Sequence, residues 1–351
     1  MSKKHRLVIV GFGGMGNWHR ELIESGIEGL EVAGMFDIKE ERQQYARDLG
    51  YKAYDSLEDV LADETVDMIL IATPNDCHKP IAIKALDAGK NVVSEKPVTL
   101  CCADLQEMFD ASYRNNKFFC VHQNRRWDED YLTVKKLYDE KTLGDVFHVE
   151  SRVHGSRGIP GDWRGIKKHG GGMLYDWGIH IIDQMLLMIP EKIKTVYCMM
   201  DHVTNYEVDD GFKMYLTFES GKTALLEVGT SNFIELPRWY VQGENGSATL
   251  QSFNGNGKMV LIKDWDKNDA VPVKTAAGLT KTMAPRTDET ITTEVLTPVS
   301  SDIKDFYRNV MATIDGEAEQ IVRHDQMMRV MKVIEAGFRS AAENAVIPFE
   351  V

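Results

Sequence analysis

The stretch that decides the fold is Leu7-Val8-Ile9-Val10-Gly11-Phe12-Gly13-Gly14-Met15-Gly16. Four apolar residues, two of them valines and one an isoleucine, run straight into glycines spaced GxGxxG. Branched apolar runs suit strands, and a helical pattern follows Gly16. A strand, a glycine turn and a helix in that order form the setting in which the spacing binds a dinucleotide. Gly11 permits the tight turn, Gly13 lets backbone amides approach a pyrophosphate, and Gly16 lets the helix pack on the strand. Phe12, Gly14 and Met15 complete the turn, and the helix N-terminus offers partial positive charge to phosphates. Asp37 lies 21 residues beyond Gly16, at the end of the next apolar run. A carboxylate there accepts hydrogen bonds from the adenosine ribose and repels a 2′-phosphate, so NAD is expected over NADP. Lys39 nearby softens that preference.

Outward from the turn, short apolar runs at 7–10, 32–36, 68–73, 92–94 and 118–122 alternate with amphipathic stretches such as 79–88 and 105–113. Strand-like runs each followed by a helix read as βαβ units and a parallel sheet. After about Gly144 the texture changes. Residues 145–154 form a long β-like run, and Gly170-Gly171-Gly172 opens an apolar stretch, 173–189, long enough for a helix. From 194 to 263, alternating runs with the hairpin signals Glu219-Ser220-Gly221-Lys222 and Glu244-Asn245-Gly246-Ser247 read as antiparallel sheet. Residues 264–300 read as long loops or an arm, with 278–286 reaching toward a neighbouring subunit. Helices are expected at 301–314 and 325–343, the latter with Asp325 as N-cap.

At 351 residues the chain suggests two domains. They are placed at 1–124 for the dinucleotide and 125–351 for substrate and oligomerisation, with the final helices free to pack back on the first. A content of 43% hydrophobic and 27% charged residues is globular rather than disordered. The net charge of −13 argues against nucleic acid or a membrane surface as partner. The basic start followed by Leu7–Val10 is too short for a signal peptide, and no apolar stretch is long enough to span a membrane. Five cysteines without a CxxC pair suit a reducing cytoplasm.

Two further stretches carry a family resemblance. Val93-Ser94-Glu95-Lys96-Pro97 closes one apolar run, and residues 170–183 read GGGMLYDWGIHIID. With the glycine turn, they resemble the Gfo/Idh/MocA oxidoreductases, named for glucose–fructose oxidoreductase and inositol dehydrogenase, over essentially the whole chain. The resemblance implies an α/β architecture. An N-terminal Rossmann domain is followed by an α/β domain whose large open, mostly antiparallel sheet forms dimer, tetramer or higher interfaces. It implies that Lys96 sits beside nicotinamide and substrate, with Asp176 and His180 completing the catalytic set. Thr73, Pro74, Asn75 and His78 match the cofactor-lining loop. Members oxidise a secondary alcohol of a sugar, cyclitol or related polyol.

The residues themselves agree with that chemistry. Removing hydride from a carbinol carbon needs a base for the hydroxyl proton, and histidine titrates in the right range. Asp176 and His180 are i and i+4, neighbours on a helix face, so Asp176 is expected to orient the imidazole or bind a substrate hydroxyl. Lys96 would stabilise a developing alkoxide. Asp183 continues that face, but no further ligand accompanies it and no metal is expected. Glu95 and Asn124 join the cofactor set because the carboxyl ends of parallel strands face the ligand crevice. Arg125 and Arg126 are weighed evenly between substrate contact and interdomain salt bridging. His154, Arg157, Trp163 and Arg164 precede the catalytic helix and are candidates for substrate contact, Trp163 as an apolar wall. A free polyol and a glycoside oxidised to a 3-keto sugar both remain open. The rival reading is a non-catalytic dinucleotide-binding regulator of the same fold.

Overall fold

The computed structural model describes residues 4–265 and 268–349. The first three residues of the basic start, two residues of the 264–300 segment and the last two residues lie outside that description.

The first half is built from β1 (His5–Val10), α1 (Gly14–Glu24), β2 (Leu30–Phe36), α2 (Glu40–Asp48), α3 (Leu57–Ala62) and β3 (Met68–Ile71). It continues through α4 (His78–Asp87), β4 (Asn91–Ser94), α5 (Cys102–Asn115) and β5 (Phe119–Val121). All five strands are parallel, in the order β2-β1-β3-β4-β5. β1, β3 and β4 are almost wholly buried around the apolar runs Leu7–Val10, Met68–Ile71 and Val92–Val93, as strands covered by helices on both faces must be. Register places Phe36, Val10, Ile71, Ser94 and Val121 in one row. The residues that follow each of them therefore leave the sheet side by side, and this row builds the site.

The second half contains α6 (Glu129–Asp139), β6 (Val146–His154), α7 (Ile179–Met188), β7 (Ile193–Asp201), β8 (Gly211–Phe218) and β9 (Thr223–Gly229). Then come β10 (Trp239–Gly243), β11 (Gly246–Leu250), β12 (Gly257–Ile262), β13 (Val273–Thr275), β14 (Gly278–Thr280) and β15 (Ile291–Leu296). The described chain closes with α8 (Asp305–Ile314), α9 (His324–Glu343) and β16 (Ile347–Pro348). Nine strands form one sheet, β15-β12-β11-β10-β6-β9-β8-β7-β16, antiparallel except for the β6–β9 pair. Alternation along the strands puts Val149, Trp239, Val241, Leu226, Met214 and Val196 on a face packed with helices, where all are buried. No helix among the described residues is long and apolar enough to cross a membrane.

Two expectations shift. Residues 291–296, expected to be loop, pair with β12 and extend the sheet, while β13 and β14 form an exposed two-stranded hairpin. The N-cap of α9 is Arg323, whose backbone N–H donates to Gln326 Oε1; Asp325 falls in the first turn, where its charge favours the helix dipole. The final helices fold back on the first half. Tyr307 of α8 meets His19 of α1, and Lys304 donates to the Ser25 carbonyl.

Candidate active site

The glycine turn leaves a cradle. α1 begins after Gly13 with no side-chain cap and no acid in its first turn, so its leading N–H groups are available. A Cβ on Gly13 or Gly14 would meet no atom within 4 Å. The opposite holds at Gly11, with φ +93°, where a Cβ would stand 2.6 Å from the Ala72 carbonyl oxygen; at Gly16 it would collide with the Gly11 carbonyl. Two glycines thus serve close packing and two leave open space at a helix N-terminus, which fits a pyrophosphate. Asp37 closes the turn: Oδ2 accepts the Phe12 N–H at 2.7 Å and Oδ1 the Lys39 N–H at 2.9 Å.

Beyond β3, Asn75 donates to the Gly170 carbonyl at 3.1 Å, tying the Thr73-Pro74-Asn75 turn to the glycine run of the second half. His78 is fully buried, with its ring nitrogens 2.9 Å from the Thr73 carbonyl and 3.0 Å from the Pro97 carbonyl. The ring lies between the two turns, and in its neutral form it donates its one N–H to one of these carbonyls. Asn124 begins a short 3₁₀ turn, Asn124–Trp127, after β5.

Beyond β4, Lys96 reaches into the second half. Its Nζ lies 2.9 Å from Asp176 Oδ1 and 3.0 Å from the Asp176 carbonyl. Arg164 Nε donates to Asp176 Oδ2 at 3.2 Å. Burial would raise the Asp176 pKa, but Lys96 and Arg164 outweigh it and hold the carboxylate below its ordinary value. Asp176 sits in a single π-helical turn, Leu174–Gly178, that leads into α7. Its carboxylate is spent on Lys96 and Arg164, so the expected orientation of His180 by Asp176 is replaced by a lysine–aspartate–arginine cluster. A π-turn adds a residue to the hydrogen-bonded loop and so changes which side chains share a face. His180 is buried, and its Nδ1 has no hydrogen-bond partner. Burial first, then the Lys96 and Arg125 charges, push its pKa well below the ordinary value, so the imidazole is neutral at physiological pH.

The π-turn is held from both sides. Tyr175 donates to the Leu100 carbonyl at 2.7 Å. Asp209 accepts the Leu174 N–H at 2.8 Å, and burial raises this carboxyl to about 7. Gly172 has φ +110°, and a Cβ there would strike Asp209. The glycine run is thus what lets the loop before it and Asp209 both close on the turn.

Other expected residues have different fates. Arg125 packs 4.0 Å over the Trp177 ring, beside His180, and pairs with Asp128 at 2.9 Å. Arg126 instead makes a buried bidentate pair with Asp183, at 2.8 and 2.6 Å, and donates to the Ile321 carbonyl and Gln326. It ties the segment after β5 to α7 and to the start of α9, all within the second half, and it engages both Asp183 carboxylate oxygens. His154 sits on the sheet face opposite the helices, near Glu227 at 3.5 Å, so strand alternation turns it away from His180. Trp163 begins a short 3₁₀ turn and carries the Arg164 guanidinium over its ring, while Arg157 is exposed. Glu95 points into the protein toward His19 and His122. Sequence reasoning passed over His19, His122, Trp177, Asp209 and Phe253, whose ring lies 5.7 Å from that of Trp177 and 5.4 Å from the Arg125 guanidinium. Two of these were open to it: His122 ends a parallel strand on the ligand side, and Trp177 lies inside the motif.

Residues 5–123 match the family described as oxidoreductase family, NAD-binding Rossmann fold, and residues 131–249 match the GFO/IDH/MocA C-terminal domain. The chain belongs to this family of oxidoreductases. It is similar to an NAD-binding protein from Listeria innocua, at 48% identity and a TM-score of 0.96, covering 99% of this chain and 100% of that one. It is also similar to the scyllo-inositol 2-dehydrogenase (NADP(+)) IolW of Bacillus subtilis, at 28% identity over 84% of this chain and 82% of that protein. The uncharacterized oxidoreductase YdgJ of Escherichia coli is 28% identical over 99% of both chains.

Proposed function

We propose that the protein oxidises a secondary alcohol of a sugar, a cyclitol or a glycoside to a ketone, with NAD as hydride acceptor and His180 and Lys96 handling the proton. The observation that carries this reading is the convergence of a lysine from the first half with Asp176 and a neutral, buried histidine from the second. Bound NAD would be held by the α1 N-terminus and Asp37 and would supply the hydride acceptor at nicotinamide C4. His180, neutral before reaction, takes the hydroxyl proton. The Lys96 ammonium, fixed by Asp176, stabilises the oxygen as its charge develops. Arg164 holds the second Asp176 oxygen, so the carboxylate stays with the lysine instead of competing for the proton. The reverse reduction uses the same groups in the opposite order.

The preference for NAD rests on Asp37, whose carboxylate after the second strand would repel a 2′-phosphate. Fluorescence titration is expected to show NADH binding at least about tenfold tighter than NADPH; tighter NADPH would reverse the assignment. We further propose that copies associate through the outer sheet face, where Tyr197, Tyr215, Leu225 and the exposed Met199 and Val295 lie. The deciding experiment is NADH absorbance across a panel of inositols, linear polyols and glycosides. Growth with one class identifies the substrate. A flat panel with intact NADH binding would favour a dinucleotide-binding regulator.

A further inference from the structure

Behind Lys96 lies a chain of buried side chains that the mechanism does not use. The Tyr307 hydroxyl of α8 is 2.6 Å from His19 Nδ1 of α1. His19 Nε2 is 2.7 Å from Glu95 Oε1, and the same oxygen is 2.7 Å from His122 Nδ1. Glu95 Oε2 accepts the backbone N–H of Lys96 at 3.0 Å. Tyr307, His19 and His122 are wholly buried and Glu95 nearly so.

One set of protons satisfies these contacts and leaves His122 Nε2 as a buried nitrogen with no hydrogen-bond partner. Tyr307 donates to His19 Nδ1, and His19 Nε2–H and His122 Nδ1–H both donate to the ionised carboxylate. Burial would raise the Glu95 pKa, but the two histidines outweigh it and hold it well below the ordinary value. Burial likewise lowers His19 to about 4. Among the described residues this is the one group of three histidine, cysteine or acidic side chains close enough to hold a metal ion. Its separations are those of N–H···O bonds, and each donor already has its acceptor, so the cluster reads as a hydrogen-bond network.

A buried carboxylate cannot swing without abandoning its donors. Its grip on the Lys96 backbone therefore ties that residue to α1, which carries the phosphate cradle, to the end of β5, and to α8. A lysine side chain has four rotatable bonds, and it meets Asp176 reproducibly only if its backbone is held. We propose that Glu95, clamped by His19 and His122, is a positioning residue for Lys96; only the bearing of that role on catalysis rests on Lys96 acting in the reaction proposed above.

The test does not depend on knowing the substrate. Full-length protein is saturated with ADP-ribose, which occupies the glycine turn and has no nicotinamide to shield Lys96. Acetylation by acetic anhydride at fixed pH is followed residue by residue by mass spectrometry. Lys90 is the internal control, because its ammonium is also held, by the Asp63 and Val66 carbonyls on the far side of the sheet. Glu95→Gln keeps the size and removes the charge. Acetylation of Lys96 is expected to rise about fivefold or more while Lys90 stays at its wild-type rate and ADP-ribose affinity changes by less than about threefold. Tyr307→Phe removes only the hydroxyl at the end of the chain; it covers the case of a Glu95 variant that does not fold, and about a twofold rise is expected there. Wild-type acetylation of Lys96 in the variants that fold, or an equal rise at Lys96 and Lys90, overturns the positioning role. If the labelling changes appear but the wild-type protein oxidises no polyol or glycoside, the dehydrogenase reading fails and the positioning role stands.

Discussion

Arg125 and Arg126 are adjacent in sequence and do different work. The Arg126–Asp183 pair is buried, so Arg126→Ala leaves an uncompensated carboxylate and is expected to cost about 3–5 kcal/mol, read as a fall in Cm on denaturant unfolding. Arg125→Ala, beside Trp177 at the site, is expected to leave stability within about 1 kcal/mol and to change KM. Equal stability losses would mean that the two guanidiniums are interchangeable. His180→Ala and Lys96→Ala are expected to keep NADH binding and to lower kcat by about 10²–10⁴-fold; near-normal turnover in either variant would remove it from the proton path. The depressed His180 pKa also sets a direction. A base that stays neutral below its ordinary value keeps working there, so the acid limb of kcat/KM is expected below pH 6.5. A limb above pH 7 would exclude His180 as the titrating base.

At the scale of the element, the glycine turn separates packing from binding. In Gly16→Ala the new methyl meets the Gly11 carbonyl, and the variant is expected to lose both stability and cofactor. In Gly13→Ala the methyl meets nothing in the protein. Its Tm is expected to stay within a few degrees of wild type while NADH affinity falls about tenfold or more, because the methyl occupies the phosphate cradle. Unchanged NADH affinity in Gly13→Ala would place the pyrophosphate elsewhere. This turn was legible because its glycines, strand and spaced acid are local. The π-turn at Leu174–Gly178 was not, because helical periodicity assumes 3.6 residues per turn and nothing in GGGMLYDWGIHIID announces an inserted residue. β15 escaped for a similar reason. Its partner, β12, is distant in sequence, and its exposed edge position removes the apolar alternation that marks a strand.

Across the whole molecule, buried histidines set the response to acid. Burial depresses His19, to about 4, and also His78, His180 and His324 from an ordinary 6.5. The unfolded chain takes up those protons near pH 6.5 and the folded chain does not. Stability is therefore lost as pH falls below 6.5, down to about 4 for His19, by up to about 1.4 kcal/mol per pH unit for each ring that stays neutral. Asp209 acts oppositely. Its carboxyl is raised to about 7, so the folded form holds a proton that the unfolded form releases down to 3.8, which adds stability as pH falls through that window. One carboxyl does not offset four imidazoles, so the Tm of the cofactor-free protein is expected to be lower at pH 5 than at pH 7. An equal or higher Tm at pH 5 would show that these rings are not held neutral.

By itself the sequence determined the parallel sheet, the glycine cradle with Asp37, and the membership of Lys96, Asp176 and His180 in one family motif set. These are carried by short-range patterns: apolar runs, glycine spacing and two short motifs, one around Lys96 and one holding Asp176 and His180. Only the tertiary structure decided what each side chain touches. Strand register aligned the ends of β1, β3, β4 and β5 in one row, and the return of α8 brought Tyr307 to His19. Ion pairing then committed Asp176 to Lys96 and Asp183 to Arg126, and hydrogen bonding committed Glu95 to two histidines. A buried charge takes the partner that folding places within hydrogen-bonding distance, and these partners lie from 27 to 80 residues away in the chain.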